Sequence, residues 1–106
     1  MILSFRCEAT EQIHRGETTP DLPANIQKVA LRKLQQLDLA KKIDDLRVPP
    51  GNRLEPLKRD RQGQHSIRIN DKYRVCFVWT ESGVEDVEIV DYHSSHDQET
   101  ATSHVG

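Results

Sequence analysis

The sequence predicts an α+β fold, in which two N-terminal helices pack on one face of a roughly four-stranded antiparallel sheet. Apolar residues recur at helical spacing between residues 23 and 40, whereas from residue 64 onward they alternate with polar residues at the period of a strand. Short polar turns separate the alternating segments, which is typical of an antiparallel meander. With 106 residues, the chain has the length of one two-layer domain.

The N-terminal part of the chain predicts one strand and two helices. Residues 2–7 partly alternate and indicate a short first strand, and residues 9–17 indicate a short helix anchored by Ile13. Pro20 and Pro23 then favour the start of a longer helix over residues 23–40, because proline suits the first helical turn. One stripe of that helix is apolar and consists of Ile26, Ala30, Leu34 and Leu37.

Three further strands are predicted over residues 64–69, 73–79 and 84–92. Strand alternation places Ile67, Ile69 and Phe77 on one face and Arg68 and Arg74 on the other. Because the helices must cover the apolar face, we expect both arginines to lie on the open face. Residues 94–106 are polar and acidic, so we expect residues 1–93 to form the domain and 94–106 a flexible tail.

Charge is distributed unevenly along the chain. The net charge is only −2, yet the segment 47–74 carries eight cations against three acids, and the segment 75–106 has no Lys or Arg. A basic stretch of this kind is typical of nucleic-acid binding, although a solvated face of mixed charge is the alternative. No apolar run is long enough to span a membrane, and the N-terminus lacks the features of a signal peptide, so we expect a cytoplasmic protein. We therefore expect Cys7 and Cys76 to be reduced core thiols.

The segment 53–93 contains the groups that metal-free RNA cleavage requires. A carboxylate, Glu55, can accept a proton; a histidine, His93, can donate one; and Arg74 can bind a phosphate. Further cations that can bind RNA phosphates are Lys58, Arg59, Arg61, Arg68 and Lys72. Each of these residues taken alone is explained as well by an ordinary surface position, so only the combination supports a catalytic site.

A metal site is the alternative interpretation of the C-terminal histidines. Asp91, His93 and His96 have a spacing that resembles metal ligands, but no cysteine accompanies them, and His104 adds nothing to the pattern. We therefore expect neither a metal nor a cofactor. His65 shares the face of Ile67, which predicts a half-buried packing residue.

Two segments, NRLEPLKRDRQGQHSIRINDKYRVCFVW and VEIVDYH, resemble the RelE superfamily of bacterial toxins, and in particular its HigB branch. The resemblance implies a ribosome-dependent mRNA endoribonuclease and a helix-turn-helix, HigA-like antitoxin, through which alone operator DNA would be contacted. It implies that Glu55 is the general base, that Arg74 binds phosphate and that His93 is the general acid. Lys58 also matches, as do the supporting residues Asp91 and Tyr92. Arg59 and His65 depart from the usual Gly and Trp, and some HigB toxins have His in place of Glu55.

Two other functions share parts of this pattern. A ParE-like toxin has the same fold but poisons gyrase by binding, and it does not need Glu55 or His93. A non-enzymatic partner or weakened toxin, acting mainly in a DNA-bound complex with its antitoxin, is the other alternative.

Overall fold

The computed structural model describes residues 1–91 of the chain. Two helices, α1 (Glu8–His14) and α2 (Ala24–Leu39), precede four strands: β1 (Glu55–Pro56), β2 (His65–Arg68), β3 (Tyr73–Trp79) and β4 (Val84–Asp91). The strands form one antiparallel sheet in the order β1-β2-β3-β4. This arrangement confirms the predicted α+β architecture. No helix within residues 1–91 is both long enough and apolar enough to cross a membrane.

Helix α2 provides the apolar layer that covers the sheet. It begins after Pro23 and ends at Leu39, because the next residue, Ala40, has an extended backbone. Its apolar stripe is buried as predicted, and it packs in one core with Ile67, Val75 and Phe77 of the sheet. Burial of each large apolar side chain contributes about 1.5–3 kcal/mol, so this stripe holds the helix to the sheet.

The predicted first strand over residues 2–7 is wrong in its details. This segment makes only two isolated parallel bridges to β4, at Ile2–Val84 and Phe5–Val87, before α1 begins at Glu8. The sheet has four strands because β1, which was not predicted, pairs with the first two residues of β2, His65 and Ser66. Strand β1 has only two residues, which is too short for an alternating pattern, so the sequence did not predict it. Its Pro56 lacks an N–H group and is tolerated because the strand lies at the edge of the sheet.

The two faces of the sheet differ sharply in character. Ile67 pairs with Val75, and Val75 pairs with Ile89, so the helix-facing side is apolar across three strands. The neighbouring register positions belong to the opposite face, which carries Ser66, Arg68, Arg74, Cys76 and Glu88. The prediction that Arg68 and Arg74 lie away from the helices is therefore confirmed.

Candidate functional site

Four polar residues form one row across the open face of the sheet. Glu55 pairs with Ser66, Ser66 with Cys76, and Cys76 with Glu88. Adjacent strands lie about 4.8 Å apart, so the row spans about 14 Å from one carboxylate-bearing backbone position to the other. Each end of the row therefore presents an acid, with a hydroxyl and a thiol between them.

Arg74 anchors the Glu55 end of this row. Its Nε donates to Ser66 Oγ at 2.7 Å, and its Nη2 donates to Ser66 O at 3.3 Å and to the carbonyl oxygen of Arg53. The same Nη2 lies 3.4 Å from Glu55 Oε2. Arg74 is only 5% exposed, whereas the Glu55 side chain is 43% exposed. Arg74 thus lies on the predicted face but is buried there, because oxygens of three residues surround its guanidinium.

Arg61 occupies the other end of the row. It belongs to a 3-10 turn, Arg59–Arg61, in the connection between β1 and β2. Its Nη1 donates to Gln64 Oε1 at 3.1 Å and to Glu88 Oε1 at 3.3 Å. The sequence pattern indicated Arg61 but missed Glu88 and Gln64. Alternation along β4 could have marked Glu88 as an open-face residue, but a register shift between Cys76 and Val78 hides which residue it faces.

Cys76 lies between the two arginines and is fully buried. Burial raises the pKa of its thiol to about 11, the nearby guanidiniums of Arg61 and Arg74 act in the opposite direction, and Glu88 adds to the increase. The Cys76 sulfur is therefore within electrostatic reach of both arginines. A thiol with this pKa is protonated at neutral pH and is a poor nucleophile. Both cysteines are free, as predicted. Cys76 is buried in the core, but Cys7 is only half-buried, so the prediction of a core thiol is wrong for Cys7.

The other predicted RNA-binding cations lie around the row. Lys58 and Arg59 are exposed in the connection after β1, and Arg59 has a left-handed backbone with φ of 58°. At the β2–β3 turn, Arg68 forms an ion pair with Asp71, and Lys72 Nζ lies 3.8 Å from Asp91 Oδ2. These two cations therefore lie at one end of the strands and contact local acids.

Three of the predicted site residues, Asp91, Tyr92 and His93, lie at or beyond residue 91, the last residue that the structure describes. Asp91 pairs with Tyr73 at the last position of the β3–β4 ladder. Tyr92 and His93 lie outside the described residues, as do His96, His104 and the predicted tail 94–106. Within residues 1–91, no group of three His, Cys, Asp or Glu side chains has the arrangement of a metal site.

His65 lies on the helix-facing side and is half-buried, as predicted. Its ring stacks on Phe77 with 6.2 Å between the ring centroids. Its buried Nδ1 makes no hydrogen bond to any part of the chain between residues 1 and 91. His65 is therefore a packing residue, separated by the sheet from the polar row.

The polar row has features that phosphoryl chemistry requires. The half-exposed Glu55 carboxylate is paired with the buried Arg74. This pairing suits proton transfer, because a general base has to be positioned within hydrogen-bond reach of the proton that it accepts. A second, more accessible arginine lies on the same face and can bind an anion. The structure therefore brings Glu55 and Arg74 together and pairs Arg61 with Glu88 at the other end of the row.

Comparison with known proteins agrees with this fold. The chain is 40% identical over 82 residues to Toxin HigB-1 of Vibrio cholerae. The aligned region covers 76% of this chain and 86% of that protein. It is 37% identical over 79 residues to a protein of Haemophilus influenzae, covering 74% and 77% of the two chains. It is 29% identical over 93 residues to Endoribonuclease HigB of Proteus vulgaris, covering 88% of this chain and 100% of that protein.

The fold and the relatives define a class, the RelE-like toxins. The family description that matches residues 3–93 is that of RelE-like toxins of type II toxin–antitoxin systems, HigB. The chain therefore belongs to the HigB-like toxin family. Membership of a type II toxin–antitoxin family implies an antitoxin as its partner.

Proposed function

We propose that this toxin is an mRNA endoribonuclease that acts on the translating ribosome and so arrests growth. The observation that carries the proposal is the half-exposed Glu55 carboxylate, held 3.4 Å from the buried Arg74 on a cation-bearing sheet face. The name of the Proteus vulgaris relative, Endoribonuclease HigB, supports the same activity.

In the proposed reaction, Glu55 accepts the proton of an RNA 2′-hydroxyl group. The 2′-oxygen attacks the adjacent phosphorus, and the bond from phosphorus to the 5′-oxygen of the next nucleotide breaks. His93 gives its proton to that leaving oxygen, so the products are a 2′,3′-cyclic phosphate, or a 3′-phosphate after hydrolysis, and a free 5′-hydroxyl group. Arg74, with Lys58 and Arg68, stabilises the charge that develops on the phosphorane-like transition state.

The proposed setting is the ribosomal decoding site in the cytoplasm. A domain of this size has a small surface with which to orient a flexible RNA, and the ribosome would supply the orientation by presenting a splayed mRNA. The proposed antitoxin is a helix-turn-helix protein of the HigA type, and operator DNA would be contacted through it. Asp91 and Tyr92 would support His93 in this role.

Primer extension on an mRNA incubated with purified protein, with and without ribosomes, tests this function. Glu55→Gln and His93→Ala remove the proposed base and acid, and each should abolish cuts that the wild type makes only when ribosomes are present. Glu17→Gln is the matched control, since Glu17 is an exposed acid paired with Arg15 on another part of the surface. Growth arrest without cuts in any lane would contradict the nuclease and direct attention to gyrase.

A further inference from the structure

We propose that Arg61 binds a phosphate of the RNA that neighbours the cleaved one, and that Glu88 is the residue that positions Arg61 for this contact. The proposal deepens the proposed function and rests on it for the identity of the ligand. It assigns the two arginines to different phosphates: Arg74, which holds Glu55, would act at the cleaved phosphate, and Arg61 would bind a neighbouring one.

The contacts of Arg74 are directed at the protein itself. Its Nε and Nη2 both donate to oxygens of neighbouring residues, on Ser66 and Arg53, and Nη2 also contacts Glu55. With 5% of its surface exposed, the residue presents little of its guanidinium to a ligand. Arg74 therefore supports the Glu55 carboxylate and can act only beside it, at the proposed cleavage site, so a neighbouring phosphate needs another cation.

Arg61 is held differently. Both of its hydrogen bonds, to Gln64 and Glu88, are made by Nη1. Across the described part of the chain, its Nε and Nη2 make no hydrogen bond or ion pair, and its side chain is 30% exposed. A guanidinium anchored at one nitrogen, with another edge accessible, matches the two-oxygen geometry of a phosphate.

Glu88 connects the turn that carries Arg61 to a strand of the sheet. Arg61 belongs to a three-residue 3-10 turn, whereas Glu88 stands within β4, and the two are 27 residues apart in sequence. A long side chain that is already held in one orientation loses less conformational entropy when it binds. Buried Gln64 gives the second fixed point. Glu88 would therefore increase RNA affinity even though its own charge repels phosphate.

The position of Arg61 indicates which phosphate it would contact. Glu55 and Glu88 stand at opposite ends of the cross-strand row, about 14 Å apart by the spacing of strands. Arg61 is paired with Glu88 at the far end of this row, whereas Arg74 contacts Glu55, so we place the phosphate bound by Arg61 beside the cleaved one. Arg61 would therefore contribute to RNA binding and hence to KM, with little effect on kcat.

Binding of a short 2′-O-methyl single-stranded RNA to the full chain, measured over a range of salt concentrations, tests the proposal without requiring cleavage. Arg61→Gln should weaken binding about tenfold and reduce the salt slope by about 0.7, the value for one lost phosphate contact on a single strand. Glu88→Gln should also weaken binding, because Arg61 is less firmly held. General electrostatics predicts the opposite sign, since removal of an acid should tighten binding to RNA.

Three comparisons make the result decisive. The Glu88→Gln change should have no further effect in the Arg61→Gln background, because the two residues act through one contact. Arg15→Gln and Glu11→Gln, which alter an exposed Arg–Glu pair on α1, should leave the binding unchanged. Arg61→Lys keeps the charge but loses the planar fork, so it should retain the salt slope and bind RNA less tightly than the wild type.

Cleavage on ribosomes separates this proposal from the proposed function. If the wild type cleaves, Arg61→Gln and Glu88→Gln should raise KM with kcat nearly unchanged, whereas a merely structural defect would lower the melting temperature and both kinetic constants. Unaltered RNA affinity in Arg61→Gln, or tighter binding in Glu88→Gln, would overturn the proposal while leaving the nuclease intact. Absence of cleavage by the wild type, with RNA binding as described, would overturn only the nuclease.

Discussion

Nη2 of Arg74 lies 3.4 Å from Oε2 of Glu55 and also donates to the carbonyl oxygen of Arg53. One guanidinium therefore holds the chain on both sides of Leu54. Strand β1 has only two residues and ends at Pro56, so its backbone hydrogen bonds to β2 are few. The side chain of Arg74 consequently helps to hold β1, and with it the proposed general base, at the sheet edge.

Replacement of Arg74 by Ala should destabilise the fold by about 1–3 kcal/mol, because Ser66 and the Arg53 carbonyl would lose a donor in a buried position. Arg68→Ala is the matched control, since Arg68 pairs with Arg74 across the strands but contacts Asp71, whose side chain is 98% exposed. That change should cost no more than about 0.5 kcal/mol. Urea denaturation measures both, and equal losses would show that Arg74 has no anchoring role.

The two thiols should differ in reactivity. The raised pKa of Cys76, about 11, keeps it protonated at pH 8, and burial blocks access to it, whereas Cys7 is half-buried. A thiol reagent should therefore modify Cys7 in the native protein and reach Cys76 only after unfolding. Cys7→Ser, as the comparison, should leave the native protein nearly unreactive. Rapid native labelling of that variant would contradict the buried position of Cys76.

Asp45 should make stability depend on pH in the acid range. Its Oδ2 accepts hydrogen bonds from the backbone N–H groups of Lys41, at 2.9 Å, and Lys42, at 3.2 Å, and these lower the pKa of the carboxyl. A carboxyl whose pKa is lowered by folding contributes stability above its unfolded value of about 4, and the contribution is lost as pH falls through the folded value.

Asp45→Asn should therefore lower the melting temperature at pH 7, and its difference from the wild type should shrink as the pH falls below about 4. Asp44→Asn is the control, since Asp44 is exposed and contacts the Arg47 side chain at 3.0 Å. Melting curves across this pH range provide the measurement. A difference between Asp45→Asn and wild type that grew on acidification would have the wrong sign for this account.

Gly83 is required where the N-terminal segment meets the β3–β4 turn. It has φ of 152°, and a Cβ added there would lie 2.7 Å from Met1 O and 2.8 Å from Leu3 Cγ. Gly83→Ala should therefore cost about 1–3 kcal/mol, because the backbone of the N-terminal segment has to move. Gly51→Ala, where nothing lies within 4 Å of the added Cβ, should be close to neutral. Chemical denaturation of the two variants tests the difference, and similar losses would contradict this explanation.

The local pattern of the sequence determined most of the elements. Helical periodicity predicted residues 23–40, and α2 spans Ala24–Leu39; strand alternation predicted residues 73–79, and β3 spans Tyr73–Trp79. The same alternation assigned Arg68 and Arg74 to the open face. Local patterns are reliable here because burial of one face imposes a period on the residues of each element. The role of Glu55 as general base, by contrast, was supported by the combination of residues in the segment 53–93 and by the resemblance to known toxins.

Only the tertiary structure decided which residues meet across strands. The pairing of Glu55 with Arg74, the burial of Arg74 and the contact between Arg61 and Glu88 all join segments distant in sequence. The tertiary structure also decided that β1 pairs with β2 in the sheet, and that residues 2–7 make two isolated bridges to β4 rather than a strand. Strand register and the path of loops depend on how the helices and the sheet fill one core together. A period along a single strand therefore specifies the face of a side chain but not its partner.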